Sequence, residues 1–153
     1  MYLIRRLGRR EQITDNYQSL VISDNERRNL VSRSRAIMSL FPGTVIAKVA
    51  TPEMYNGGLF ADEEKLARFA LPKRLSEFTA GRNCIRECLK ALNAEAVPVL
   101  SGAHREPILP SGIVGSITHC EGFCCAVAAH KSDICAIGVD AEPWTALDPG
   151  IVE

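Results

Sequence analysis

The run Gly115-Ser116-Ile117-Thr118-His119-Cys120 carries a hydroxyl and an imidazole, and Gly138-Val139-Asp140-Ala141-Glu142, some twenty residues later, carries two carboxylates. Together these are donor types that hold a phosphate beside a divalent cation. Residues 113–118, 123–129 and 134–139 are short apolar runs rich in Val, Ile, Cys and Ala, bounded by Gly, Glu, Lys-Ser-Asp and Pro, and they read as consecutive strands. Residues two apart on a strand share a face, so Asp140 and Glu142 point together and Ala141 points away. Two hard oxygen ligands, completed by substrate phosphate and water, suit magnesium. Thr118 and His119 sit where the preceding strand runs out, a hydroxyl donor and an imidazole able to carry charge, both suited to gripping a phosphate. The pairing reads as phosphoryl-type transfer. Each part has a plainer reading: an Asp-x-Glu at a strand end is commonly a solvated edge, and a lone His beside a turn commonly caps backbone groups. Their joint occurrence favours the site.

Further motifs surround this pair in a fixed order: Lys73-Arg74 through Ala80-Gly81-Arg82, Arg105-Glu106-Pro107, and Pro110-Ser111-Gly112. In order and spacing, over residues 39–153, the chain resembles the 4'-phosphopantetheinyl transferases, specifically the larger monomeric kind that serve siderophore, nonribosomal-peptide and polyketide synthases. The resemblance implies magnesium-dependent transfer of the phosphopantetheine arm of coenzyme A to a serine of an apo carrier protein, with release of 3',5'-adenosine bisphosphate. It further implies that Asp140 and Glu142 ligate magnesium with the Ala141 carbonyl near the ion, and that His119, Asp140 and Glu142 form the catalytic set. Arg74, Arg82, His104, Arg105, Glu106, Pro107, Thr118, His119 and Asp140 would cradle coenzyme A, and the carrier protein would bring the nucleophile. The implied fold is α+β, one pseudo-symmetric half of a two-half transferase, with an antiparallel sheet, a long packed helix and the strand that opens the second half.

Two departures from the family pattern bear on this reading. His104 stands where a lysine is frequent, and Ile108-Leu109 replaces a segment that often carries tryptophan, so the adenine surroundings differ. Relatives also carry a later W-x-x-K-E-x-x-x-K motif, whereas Trp144 has no Lys-Glu after it. The expectation is a domain over residues 38–153 that forms the N-terminal portion of the transferase, inactive alone and able to self-associate through an exposed half-interface. The alternative is a non-catalytic coenzyme A or nucleotide-binding fragment of the same scaffold.

These groups need a scaffold. A chain of 153 residues with 46% hydrophobic content and zero formal net charge describes a soluble single domain with an ample core, and no basic excess points to nucleic acid. The longest apolar run, residues 123–129, is far short of the roughly 20 needed to span a bilayer, and no charged-then-apolar leader opens the chain. A cytoplasmic setting follows by default. Six cysteines, at 84, 88, 120, 124, 125 and 135, lack C-x2-C knuckles, which favours core packing over zinc. Residues 1–36 hold eight Arg, no Lys and four acids, an excess of +4 against −4 for the rest. With no good amphipathic repeat, residues 1–37 read as a poorly ordered extension.

Downstream, residues 44–50 suggest a strand and 51–58 a turn-rich loop. Asp62 caps a short helix that ends before Pro72, its acidic first turn suiting the positive end of the helix dipole. Residues 73–92 form the principal helix, with Leu75, Phe78, Ile85, Leu89 and Leu92 on one stripe facing a sheet. Arg82 falls inside that stripe, where a buried guanidinium is costly unless an anion meets it. Arg74, about 12 Å away along the axis, points near the same side. Both can instead snorkel to solvent. Prolines 98, 107 and 110 stiffen the loop over residues 101–112.

Overall fold

In the computed structural model, residues 2–7, 19–22 and 30–143 are described. The elements run β1 (Tyr2–Leu7), β2 (Ser19–Ile22), α1 (Leu30–Met38), β3 (Ile46–Val49), a 3-10 helix (Pro52–Asn56), α2 (Ala61–Ala67), α3 (Pro72–Ala91), β4 (Leu100–Ser101), β5 (Pro107–Ile108), β6 (Ile113–Cys120), β7 (Phe123–His130) and β8 (Gly138–Pro143). The architecture is α+β with antiparallel pairing throughout.

Strand β7 organises the molecule because both of its faces are covered. Phe123, Cys125, Val127 and Ala129 belong to one core with Ile37, Phe41, Val45, Val139 and Ala141, while Cys124, Ala126 and Ala128 belong to a second core with Ile85, Cys88 and Leu89 of α3. A strand buried on both sides needs no polar alternation, which explains the unbroken apolar run. Its helix-facing positions are small, and this lets α3 lie close. The sheet order is β3-β7-β6, with α3 packed across all three strands, and a second sheet has the order β2-β1-β8. The six free cysteines follow their surroundings: four are buried, Cys120 is intermediate and Cys135 exposed. Burial raises the Cys88 thiol to about 12, so it packs as an apolar group.

Several expectations are corrected. Residues 131–137 do not extend the last strand backward. Asp133 and Ile134 instead donate their N–H groups to the His130 carbonyl at 3.0 and 3.2 Å, closing a turn before β8 begins at Gly138. The cap of α2 is Phe60, not Asp62: Glu63 at the third helical position reaches back, and its Oε2 accepts the Phe60 N–H at 2.9 Å. Asp62 bonds Lys65 at the surface. Of residues 1–37, read as an extension from sequence, the described ones include β1, β2 and most of α1, and Ile4 of β1 is fully buried against the core. Strand β1 pairs along the whole of β8, with Ile4 opposite Ala141. Trp144 lies outside the described residues.

Candidate functional site

An open cleft of about 550 Å³ lies between α2, the first half of α3, the β4–β5 hairpin and the end of β6. Arg74, Glu77, Phe78 and Arg82 line it from α3, Arg105 and Pro107 from the hairpin, and His119 from β6. Five residues singled out from sequence therefore converge here: Arg74, Arg82, Arg105, Pro107 and His119.

Arg82 is the most constrained of them. Only 7% of it is exposed, its Nη2 donates to Ser101 Oγ at 3.0 Å, and its guanidinium lies 4.3 Å from the centroid of the Phe78 ring. Among the described residues, its Nε is the one buried side-chain polar atom with no hydrogen-bond partner. Burial draws its pKa below the ordinary value; the nearby Arg74 and Arg86 add to this, and Glu63 opposes them. An anion in the cleft would offset the desolvation of this guanidinium. Ser101 and Phe78, the groups that hold this guanidinium, were not apparent from sequence, because both are common core or loop residues without a motif of their own.

His119 lies against Arg74 and Glu77. Its Nε2 is in contact with Arg74 Nη1, and its Nδ1 is 3.5 Å from Glu77 Oε2. Arginine has no acceptor, so Nε2 must accept and the proton belongs on Nδ1, facing the carboxylate. Burial first, and then Arg74, lower the His119 pKa, with Glu77 opposing. The contact with Arg74 calls for the neutral imidazole, the form that the lowered pKa favours. Glu77 also lies 3.6 Å from Arg74, so one carboxylate orients both side chains of this wall.

Arg105 has φ +66, the left-handed region that side chains seldom occupy, and the hairpin holds it there. Glu106 does the holding: its Oε2 accepts the His104 N–H at 2.8 Å and its carbonyl accepts the Gly102 N–H at 2.8 Å. The Glu106 carboxylate occupies the space that a Cβ at Gly102 would take, so a side chain there would push it off the His104 N–H. His104 and Glu106 shape the turn and do not line the cleft.

The second cluster is separate. Thr118 faces away from α3, toward β8, because neighbouring strand residues point to opposite faces. Its Oγ1 accepts the Ala141 N–H at 3.0 Å and lies 3.4 Å from Asp140 Oδ1. The structure therefore joins Thr118 to the Asp140-Ala141-Glu142 segment but parts it from His119, and none of these four residues lines the cleft. Asp140 and Glu142 alternate with buried Val139 and Ala141. Among the described residues no cluster of three or more His, Cys, Asp or Glu side chains is placed to hold a metal. No described helix is long and apolar enough to cross a membrane.

Residues 62–129 match the family model of the 4'-phosphopantetheinyl transferase N-terminal domain, and the chain is similar to 4'-phosphopantetheinyl transferases. It is 36% identical over 121 residues to the 4'-phosphopantetheinyl transferase PptT of Mycobacterium tuberculosis, covering 76% of this chain and 53% of that protein. Over 119 residues it is 42% identical to the 4'-phosphopantetheinyl transferase Svp of Streptomyces mobaraensis, covering 76% and 48%. Enterobactin synthase component D of Salmonella typhi is 35% identical over 92 residues, 56% of this chain and 37% of that protein. The chain spans about half the length of the first two relatives.

Proposed function

We propose that this chain forms the coenzyme A-binding half of a magnesium-dependent phosphopantetheinyl transferase that modifies a serine of an apo carrier protein, one of two pseudo-symmetric halves. The observation that carries the proposal is Arg82, a buried guanidinium with an unmatched Nε, at the floor of a cleft that also gathers Arg74, Arg105 and His119. Three arginines and an imidazole around one cleft suit a ligand with several phosphates, and charge-assisted hydrogen bonds of roughly 1.5–3 kcal/mol each favour phosphate over the neutral adenine. The hydrophobic rim, Leu66 and Phe69, suits the less polar parts of such a ligand.

The donor set at β8 fits a hard cation. Asp140 and Glu142 share a face and offer only oxygen, and phosphate and water would complete the shell. Magnesium in such a place supplies neutralisation of pyrophosphate charge. The chain's own part is to hold Asp140 beside Thr118 and to present the Ala141 carbonyl on the neighbouring strand position.

Calorimetry with coenzyme A and its 3'-dephospho form tests the cleft: weaker binding of the dephospho form is expected, and equal binding overturns the cradle. Asp140→Ala and Glu142→Ala should weaken the magnesium-dependent part of binding with little loss of thermal stability. A second reading, binding without transfer, is favoured by the separation of the Thr118–Asp140 cluster from the cleft lining. Labelling of an apo carrier protein with a fluorescent coenzyme A analogue distinguishes the two. Enterobactin synthase component D among the relatives makes a siderophore-type carrier the first to assay.

A further inference from the structure

Glu63 is fully buried, yet it lines neither the cleft nor the Asp140 cluster. Its carboxylate serves three elements at once. Oε2 accepts the Phe60 N–H at 2.9 Å, closing the start of α2, and also accepts Arg86 Nη1 of α3 at 2.6 Å; Oε1 accepts the Val99 N–H at 2.9 Å, immediately before β4. Arg86 is forked in turn, its Nη2 donating to the Gly58 carbonyl at 2.7 Å and to Asn83 Oδ1 at 3.0 Å. A buried carboxylate with this many charge-assisted bonds sets one geometry, since any shift of α2, α3 or β4 strands a charge away from water. Two residues past Val99, Ser101 holds the Arg82 guanidinium, and the far end of α2 provides Leu66 and Ala67 to the cleft wall.

We propose that Glu63, clamped by Arg86, is a positioning residue for the anion cleft: it fixes the height of β4 against α3, so that Ser101 holds the Arg82 guanidinium in place on the cleft wall. This rests on the anion-binding reading of the cleft. It extends that reading to a residue that never touches the ligand. Electrostatics and positioning predict opposite signs here. Glu63 is a negative charge that acts on Arg82, so its neutralisation, taken alone, makes the cleft more positive and tightens anion binding. Loss of positioning loosens the Arg82 bond and weakens binding.

The test is calorimetric titration of the full chain with inorganic pyrophosphate, at a temperature where circular dichroism shows wild type and variants folded, for Glu63→Gln and Arg86→Lys. In Glu63→Gln an amide nitrogen replaces one carboxylate oxygen and meets a donor where an acceptor is needed, so the clamp breaks with almost no change of size. Arg86→Lys keeps the charge but loses the fork, and it covers the case in which Glu63→Gln does not fold. Affinity for pyrophosphate should fall on the order of tenfold in Glu63→Gln, the equivalent of one charge-assisted bond, and by less in Arg86→Lys. The Arg82 Nε–Hε resonance should shift in both. Unchanged or tighter binding by folded variants, with an unshifted Arg82 signal, overturns the proposal. Wild-type chain that binds neither pyrophosphate nor coenzyme A overturns the anion reading itself, and the proposal with it. Pyrophosphate bound without coenzyme A overturns the choice of ligand and supports the anion cleft on which the proposal rests.

Discussion

Thr118 Oγ1 accepts the backbone N–H of Ala141 at 3.0 Å and approaches Asp140 Oδ1 at 3.4 Å, so one hydroxyl ties the end of β6 to the carboxylate-bearing strand β8. The two strands belong to different sheets, and Thr118 is 6% exposed. Thr118→Val keeps the shape but strands the buried Ala141 N–H, which should cost about 1–3 kcal/mol in chemical denaturation. Thr118→Ser keeps the hydroxyl and should recover most of that loss.

Arg82 should trade stability for binding. Its buried guanidinium has an unmatched Nε and a pKa drawn down chiefly by burial. Arg82→Met keeps the packing on Phe78 without the desolvation cost, so thermal stability should hold or rise while affinity for coenzyme A falls by about tenfold or more. A marked drop in melting temperature would assign Arg82 to the core instead.

Stability should depend on His119 below neutral pH. The folded state lowers its pKa from the ordinary 6.5, mainly by burial and then through Arg74. The unfolded chain therefore takes up the proton first, so the contribution is fully present above about 6.5 and is lost as the pH falls toward the folded value. Denaturation midpoints measured from about pH 7.5 to about 5 should decline, and His119→Gln should flatten part of that decline. Anion affinity should move the other way, because a protonated imidazole at the cleft favours phosphate.

Gly115 admits no side chain. A Cβ there would lie 2.7 Å from the Val127 carbonyl oxygen and 2.8 Å from Leu109 Cδ1, and the first contact is backbone within the same sheet. Gly115→Ala should cost about 1–3 kcal/mol by overpacking. Equilibrium unfolding measures it, and the cleft residues of the folded fraction should keep their affinity.

The sequence by itself determined the elements whose periodicity is local. The helix read over residues 73–92 appears as α3 at Pro72–Ala91, with Ile85, Leu89 and Leu92 in the core but Leu75 exposed and Phe78 on the cleft, the run over residues 123–129 as β7, and the Asp-x-Glu spacing as two carboxylates on one face of β8. The place of Arg82 inside the apolar stripe was legible too, but its burial was not, because a long side chain there can also snorkel to solvent and only the packing of Phe78 and Ser101 around it decides. Tertiary structure alone decided which face of β6 meets the cleft. The two-residue period that pairs Asp140 with Glu142 also separates Thr118 from His119, and only the docking of α3 on the β3-β7-β6 sheet sends His119 to Arg74 and Thr118 to Ala141. The same holds for β1, whose partner β8 lies at the far end of the described chain, and for Glu63, which reads as a dipole-suited surface acid until Val99 and Arg86 close over it. Local pattern reports which way a side chain points along its own element. What it meets there is set by long-range packing, where burial and hydrogen bonding are satisfied together by residues that sequence order keeps apart.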